Sequence, residues 1–147
     1  MNAAAVAFLL SALNLLSPAI PPCGLLFQVH QDATLVPLAL ESDERCGPED
    51  SELPALNASA SRDDEGVLHL SLVNIHPGKD LEITLDIRGM EIKDLSGRIL
   101  TSGQVQDHNT FEHPDLVKAE PFQGIKTGKS GISLLLPAQS ILLLDVS

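Results

Sequence analysis

The sequence contains no tryptophan and no tyrosine, and four phenylalanines are its only aromatic residues apart from histidine. Leu, Ile and Val must therefore supply most of the core volume. Sugar-binding modules usually stack sugars on exposed Trp or Tyr rings, which offer an apolar face with a polar edge. The lack of both residues argues against a free-standing carbohydrate-binding module. A chain of 147 residues is still long enough for one domain whose core needs neither a metal nor a disulfide.

Basic residues are also scarce, since nine Lys and Arg stand against twenty Asp and Glu, for a formal net charge of -11. Nucleic-acid binding needs Lys and Arg to replace the counterions of the phosphates. Attraction to anionic membranes depends on the same residues. We therefore expect no nucleic-acid partner, and the acidic balance mainly predicts solubility.

The chain has only two cysteines, Cys23 and Cys46. A structural zinc site usually needs four ligands in close pairs, so these two residues do not predict a metal site. Two interpretations stay open. The pair forms one disulfide that clips the N-terminal region, or both residues are free thiols.

Residues 1–27 form an apolar N-terminal segment, and residues 3–16 within it carry no charge. This run is shorter than the roughly 20 residues that a membrane-spanning helix needs, so we predict no membrane span. The run is similar to the apolar part of a signal peptide, although Met1-Asn2 lacks the usual positive charge. The alternative is a buried element left from a larger protein. A cytoplasmic location is slightly favoured, and secretion stays possible.

Residues 28–147 carry a β pattern, interrupted at residues 41–52 by an acidic stretch that predicts an exposed loop. Apolar and polar residues alternate most regularly over residues 81–88, which predicts a strand with one core face and one solvent face. Residues 141–146 are almost continuously apolar, which predicts a strand buried on both sides. Short strands between turn signals, without a long amphipathic helix, predict an all-β fold, an antiparallel, jelly-roll-like β-sandwich.

Glycines suggest where several strands end. Gly89 and Gly97 predict the limits of one short strand, and residues 98–101 begin another. Residues 102–124 lack a strand pattern and predict a loop. Residues 124–130 predict a hairpin turn. Their Gly-Lys-Ser ending is similar to a phosphate-binding loop, but the preceding glycine stands one residue too close and no helix follows.

Two groups of carboxylates are candidates for catalysis, because a glycosidase needs two carboxyl groups about 5–10 Å apart across the sugar. Asp63, Asp64 and Glu65 cluster in a predicted turn. Glu82 and Asp86 fall on the predicted solvent face of a strand. In both groups we predict solvated surface residues.

The histidines show no metal-binding or catalytic spacing. They are His30, His69, His76, His108 and His113. A metal site that combines His108, Glu112 and His113 is one interpretation of their loop, and hydrogen bonds to the loop backbone are the favoured one. The nucleophile motif Gly-x-Ser-x-Gly is also absent from the sequence. We therefore predict no catalytic, cofactor-binding or metal-binding residue in this chain.

Several segments, in their order and spacing, are similar to a known family. They are VHQDATLVP at 29–37, ASASR at 58–62, LHLSLVN at 68–74, SGRILT at 96–101, HNTFE at 108–112 with Pro114, Val117 and Lys118, and the closing LPAQSILLL. Together, over about residues 28–147, they resemble the C-terminal region of α-L-arabinofuranosidases of glycoside hydrolase family 51. HNTFE with the following Pro and Val is the most specific of these segments.

The resemblance implies that whole members hydrolyse terminal α-L-arabinofuranosyl groups of arabinan and arabinoxylan, with retention and without a metal. It implies two catalytic glutamates, an acid/base and a nucleophile, on a (β/α)8 barrel that precedes the sandwich. Such a barrel needs about 250 residues. Only residues 1–27 precede the match, so neither glutamate can be assigned to a position here. The resemblance also implies an N-terminal strand that completes the sandwich, and its loss would leave an edge open to pairing.

These features predict a non-catalytic accessory domain with a structural or assembly role. Its expected partner is the catalytic barrel, and an apolar face left uncovered without that barrel predicts self-association. Whether the chain belongs to an active enzyme stays open. A free-standing carbohydrate-binding module is the alternative function, and no cofactor is expected.

Overall fold

The computed structural model describes residues 26–104, 107–110, 112–113, 115–128 and 131–147. Within these residues the chain forms eleven strands after a 3-10 turn at Gln28–His30. The strands are β1 Thr34–Leu35, β2 Arg45–Cys46, β3 Leu53–Pro54, β4 Leu56–Arg62, β5 Leu68–Asn74, β6 Leu81–Leu85, β7 Leu95–Thr101, β8 Ala119–Pro121, β9 Ile125–Gly128, β10 Gly131–Leu136 and β11 Ser140–Val146. All of their pairings are antiparallel.

The larger of the two main sheets has six strands in the order β1-β4-β5-β11-β7-β8. Strand β11 lies in the interior of this sheet, paired with β5 on one side and with β7 on the other. Leu142, Leu143 and Leu144 of β11 are completely buried although their side chains alternate between the two faces. Both faces of the sheet are therefore covered here, and the prediction from the apolar run at 141–146 is confirmed.

The smaller main sheet has the order β6-β10-β9 and packs on the inner face of the large sheet. Ile83 of β6 and Leu134 of β10 belong to the same buried cluster as Leu142 of the large sheet. Strand β6 alternates between buried and exposed residues as predicted, but it ends at Leu85 rather than at residue 88. The predicted all-β, antiparallel sandwich is confirmed.

A second, smaller apolar cluster lies on the outer face of the large sheet. Leu26 and Val117 pack there over Leu100, Ile141 and Leu143. Leu26 lies at the helical start of the described chain and Val117 lies in the loop before β8, so two segments outside the sheets form this outer layer. They give the central strands their burial on the second face.

The prediction of a strand limited by Gly89 and Gly97 is wrong. Gly89 lies in a bend, with a φ of 83°, but β7 runs through Gly97 without a break. A Cβ atom at Gly97 would lie 3.0 Å from Leu144 Cδ2 and 3.2 Å from Phe122 Cβ. This glycine therefore serves close packing inside a strand and does not end one.

Two predicted loop segments contain strands. Residues 102–124 include β8, which pairs with the edge of β7. Most of residues 124–130 is β9, which forms a hairpin with β10, and positions 129 and 130 lie outside the described residues. Both strands are short and mainly exposed, so no alternation of apolar residues marks them in the sequence. The stretch 41–52 is mostly exposed as predicted, apart from β2.

Residues 1–25 lie outside the described residues. The interpretations of the apolar segment, of a disulfide at Cys23 and of a domain boundary between 1–27 and 28–147 therefore stay predictions. In the part of the chain that the structure describes, no helix is long and apolar enough to cross a membrane.

Candidate functional site

Two histidines from distant parts of the sequence meet on the outer face of the large sheet. His30 Nδ1 lies 2.6 Å from Ser61 Oγ, and His30 Nε2 lies 2.6 Å from Ser71 Oγ. The ring of His69 stands nearly perpendicular to that of His30, with 6.5 Å between the centroids. Ser61 of β4 pairs directly with His69 of β5, so the register of these strands assembles the group. We call these four residues, with Asp63, Arg98 and Asp145, the histidine cluster.

His69 is held between two carboxylates. Its Nδ1 lies 2.7 Å from Asp145 Oδ1, and its Nε2 lies 3.2 Å from Asp63 Oδ2. Both contacts lie within hydrogen-bond distance, so the two carboxylates fix the orientation of the imidazole ring. Arg98 lies 3.6 Å from the second oxygen of Asp145. The cluster thus places His69 and Arg98 beside two carboxylates, and the sequence did not predict it because His69 was assigned to an ordinary outward strand position.

Asp63 differs from the solvated turn residue that the sequence predicts. Its Oδ1 accepts hydrogen bonds from the backbone N–H groups of Glu65 at 3.0 Å and Val67 at 2.8 Å, which closes the turn between β4 and β5. Burial by itself raises the pKa of Asp63. The hydrogen bonds from Val67, His69 and Glu65, together with the charge of His69, outweigh burial and hold this pKa below its ordinary value. Asp64 is exposed, as predicted.

Glu82 and Asp86, the second candidate pair, are exposed on the surface. Asp86 accepts a hydrogen bond from Arg88 Nε at 2.7 Å, and both side chains remain largely in solvent. Such exposed ion pairs contribute little to stability. The positions of Glu82 and Asp86 agree with the prediction that they are surface residues.

The loop that carries the HNTFE segment is closed by internal hydrogen bonds. Asn109 Nδ2 donates to the carbonyl of Val117 at 2.8 Å, and Asn109 Oδ1 accepts from the Val117 N–H at 2.7 Å. The Thr110 N–H donates to the carbonyl of His113 at 3.1 Å, and the His113 N–H donates to Thr110 Oγ1 at the same distance. Among the described residues, no group of three or more His, Cys, Asp or Glu side chains could hold a metal ion.

Cys46 is buried in β2, where it joins the main hydrophobic core. Burial, and to a smaller extent the charge of Glu52, raise the pKa of its thiol. A thiol with a raised pKa stays protonated at neutral pH and is a poor nucleophile. Cys23 lies outside the described residues, so the choice between a disulfide and two thiols is still a prediction.

The open side of the sandwich contains a groove of about 1080 Å³, which we call the edge groove. The inner faces of β4 and β5 line it, together with β6, residues 36–42 and Glu44. Strand β6 is the edge of the small sheet, because it pairs with β10 on one side only. An edge strand presents unpaired backbone N–H and C=O groups to a further strand. Apolar residues such as Leu70 and Ile83 line the groove, and charged residues such as Arg62 and Glu82 also border it.

Comparison with known proteins identifies the relatives of this chain. The family model of the α-L-arabinofuranosidase C-terminal domain matches residues 24–140. A protein named intracellular exo-α-L-arabinofuranosidase, from Bacteroides ovatus, is 36% identical over 121 residues. That alignment covers 82% of this chain and 24% of the relative. The chain thus spans about a quarter of the length of this relative.

Solved structures show the same relationship. The family 51 arabinofuranosidase from Xanthomonas axonopodis pv. citri superposes with a TM-score of 0.80 and 26% identity, over 86% of this chain and 25% of that one. A family 51 α-L-arabinofuranosidase from Bifidobacterium longum superposes with a TM-score of 0.62 over 72% of this chain and 21% of its own, and at 23% identity it supports the fold alone. The segments that resembled family 51 in the sequence are therefore part of a true homologous unit, and the chain belongs to the family of α-L-arabinofuranosidase C-terminal domains.

Proposed function

We propose that this chain is a non-catalytic accessory unit of an α-L-arabinofuranosidase and has a structural role beside a catalytic (β/α)8 barrel. The edge groove is the observation that supports this role. The large sheet has six strands and the small sheet three, so the inner faces of β4 and β5 border a groove. A sandwich with such an open side is suited to accept a further strand from the rest of a longer protein.

The carboxylates of the histidine cluster also favour a non-catalytic role. A glycosidase acid needs a raised pKa and a partner carboxylate across the sugar. Asp63 has the opposite shift, because the backbone and His69 stabilise its charged form. Asp145 is occupied by His69 and Arg98. Hydrolysis of terminal α-L-arabinofuranosyl groups would then depend on glutamates elsewhere in the whole enzyme.

Self-association is part of the same proposal. Without a strand from a partner, the unpaired edge of β6 and the apolar lining of the edge groove favour pairing with a second copy. The exposed side chains of Leu38 and Leu40 lie along the groove and add apolar surface. The isolated chain is therefore expected to associate, and the whole enzyme is expected to cover this surface.

The proposal can be tested with a chimera. Residues 24–140 of this chain would replace the matching region of the Bacteroides ovatus relative, and hydrolysis of an aryl α-L-arabinofuranoside would be measured. The chimera is expected to hydrolyse the substrate, whereas the purified chain alone is expected to give no turnover above a mock preparation. Turnover that copurifies with the isolated chain, or a well-folded but inactive chimera, would contradict the accessory role.

A matched pair of variants separates the groove from the rest of the unit. Leu40→Asp puts a charge beside the edge groove, and Leu135→Asp puts the same charge on β10, where the side chain is 53% exposed. Only the first variant should lower the melting temperature of the chimera relative to the unchanged chimera. Equal falls in the melting temperature for the two variants would show that the groove has no special role. Binding of the isolated chain to arabinoxylan would instead favour a carbohydrate-binding module.

A further inference from the structure

The turn Gln28–His30 is docked on the outer face of the large sheet by two different contacts. Leu26, just before the turn, is almost fully buried in the outer apolar cluster. His30, at the end of the turn, bonds to Ser61 of β4 and Ser71 of β5. The apolar contact does not depend on pH, but the histidine contact can. The docking of this turn is therefore open to control by the protonation of one ring.

Hydrogen bonding alone does not fix the charge of His30. A hydroxyl group can donate or accept, so Ser61 and Ser71 can satisfy either the neutral ring or the imidazolium. The wider surroundings decide between these two forms. His30 is partly buried, and its ring centroid lies 6.5 Å from that of His69, whose two nitrogens lie 2.7 Å and 3.2 Å from carboxylate oxygens. At this distance a charge on His69 disfavours a charge on His30.

The nearby carboxylates offset only part of the effects that disfavour a charged His30 ring. Asp145 of β11 favours a charged His30, but one of its oxygens is bonded to His69 and the other lies 3.6 Å from Arg98 of β7. Asp63, from the turn between β4 and β5, is bonded to the far nitrogen of His69 and to two backbone N–H groups. Burial, and then the charge of His69, lower the pKa of His30 from 6.5, and Asp145 opposes this shift only in part.

We propose that His30 is an acid-sensitive latch, which holds the turn Gln28–His30 on the sheet when the ring is neutral and releases it when the ring gains a second proton. Release would carry Leu26 away from the outer face and uncover part of the apolar surface formed by Ile141 and Leu143. The core between the two sheets is a separate cluster and would stay folded. The latch is a property of the sandwich itself and does not rest on the proposed accessory role.

The direction of the pH effect follows from the lowered pKa. The docked form binds the proton more weakly than the released form, whose ring should titrate near the ordinary value of 6.5. Docking is therefore fully favoured above that pH and weakens as the pH falls below it. The docking equilibrium changes by about tenfold for each unit by which the two pKa values differ. Below the pKa of the docked form, docking depends no further on His30.

Because the chain contains no tryptophan, a single introduced tryptophan can report on the turn by its fluorescence. Phe27 is 37% exposed at the start of the turn and contacts His30, so Phe27→Trp places a single fluorophore where release changes its environment. Between about pH 8 and pH 5, the emission maximum should move to longer wavelength while the far-ultraviolet circular dichroism stays constant. His30→Gln, added to the Phe27→Trp chain, cannot titrate and should abolish this transition. His76→Gln, in the loop after β5, should leave it unchanged.

A second measurement distinguishes the latch from a merely structural histidine. His69→Gln removes the neighbouring charge that lowers the pKa of His30, and in the Phe27→Trp background it should move the midpoint of the fluorescence transition toward 6.5. In the wild-type chain, the NMR titration of the His30 ring should give a pKa below 6.5. A ring pKa at or above that value would overturn the proposal, even if a substituted chain failed to fold. An emission maximum that does not change with pH, or that changes equally in His30→Gln, would also overturn it.

Discussion

Asn109 and Val117 are joined by two hydrogen bonds in opposite directions, with lengths of 2.8 Å and 2.7 Å. The asparagine amide mimics a neighbouring strand, because it accepts from the N–H and donates to the carbonyl of the same residue. This pairing holds Val117 over Leu100 and Leu143, where its side chain is almost fully buried. Asn109 of the HNTFE segment therefore positions Val117 in the outer apolar layer of the large sheet.

Replacement of Asn109 by Ala should destabilise the domain by loosening this layer. Each hydrogen bond contributes about 0.5–1.5 kcal/mol, so the loss of two should cost about 1–3 kcal/mol in the free energy of unfolding. Urea denaturation followed by circular dichroism would measure the change. Asn57→Ala, at an exposed position of β4, is the matched control and should cost far less. Equal losses in the two variants would show that the pairing of Asn109 with Val117 has no special weight.

A second asparagine, Asn74, joins the ends of several strands from a buried position at the end of β5. Its Nδ2 lies within 3.2 Å of the carbonyl oxygens of Lys79, Leu136 and Pro137, and its Oδ1 accepts from the His76 N–H at 3.0 Å. Asn74→Asp would set a carboxylate against three carbonyl oxygens. We expect a loss of about 3 kcal/mol or more in the free energy of unfolding, because a buried polar group loses its partners.

The control for Asn74→Asp is Asn57→Asp, which adds the same charge on the exposed side of β4. Thermal unfolding at neutral pH should show a large fall in the melting temperature for the first variant only. The predicted role of Asn74 would be contradicted by similar melting temperatures for the two proteins.

A side chain at Gly97 should destabilise the domain, although this glycine lies inside a strand. In Gly97→Ala the new Cβ would meet Leu144 Cδ2 at 3.0 Å and Phe122 Cβ at 3.2 Å. Overpacking of this kind costs about 1–3 kcal/mol, and the reduced entropy of the unfolded chain offsets about 0.4–1 kcal/mol. We expect a net loss of about 1 kcal/mol in chemical denaturation. Gly103→Ala, where nothing lies within 4 Å of the added carbon, should be neutral or slightly stabilising.

Gly97 also illustrates what the sequence could and could not predict. The strands that contribute most to the core were predictable, because burial on one face of β6 and on both faces of β11 leaves an apolar pattern. The edge strands β8 and β9 are mainly exposed and carry no such pattern. A glycine that serves close packing between strands cannot be distinguished in one sequence from a glycine that ends a strand.

The histidine cluster could not be predicted for a different reason. It depends on the pairing register of β4 and β5 and on the turn that carries His30 back over Ser61. Neither feature is local in the sequence. The alternation of His69 and Ser71 with leucines was a visible signal, since it put two polar groups on the outward face of a strongly apolar strand. The burial of His69 and Ser71 depends on the segments that cover the outer face of the large sheet, and the strand pattern does not predict those segments.

Asp63 should contribute to the acid sensitivity of the fold. Its pKa lies below the ordinary value of 3.8, so the folded state holds the charged carboxylate more favourably than the unfolded state does. The stability that this provides is present above that pH and is lost as the pH falls through the lowered pKa. Asp63→Asn keeps the shape and an acceptor oxygen but removes this titration.

The free energy of unfolding, followed from about pH 5 to pH 2, should therefore fall less steeply in Asp63→Asn than in the wild-type chain. Asp64→Asn, in the same turn but exposed, should follow the wild-type slope. If the two variants show the same slope, the hydrogen bonds of Asp63 do not stabilise its charge. Release of the turn Gln28–His30 should begin at a higher pH, just below 6.5, which is the ordinary pKa of His30.

The edge groove leads to a prediction about the isolated chain in solution. Leu38 and Leu40 are 40% and 43% exposed on the segment that lines the groove, next to the unpaired side of β6. Two copies that meet there would bury these side chains and pair backbone groups that otherwise face solvent. Sedimentation velocity and light scattering over a series of concentrations should therefore show self-association of the wild-type chain.

Leu40→Asp should weaken this association, because the interface would have to bury an unpaired carboxylate. Leu135→Asp has the same charge and starts from a more exposed leucine, but it lies on the outer face of the small sheet and should associate like the wild type. A wild-type chain that stays monomeric at the highest concentration would contradict the prediction. If both variants weaken association equally, the groove is not the interface, because the added negative charge alone would then explain the effect.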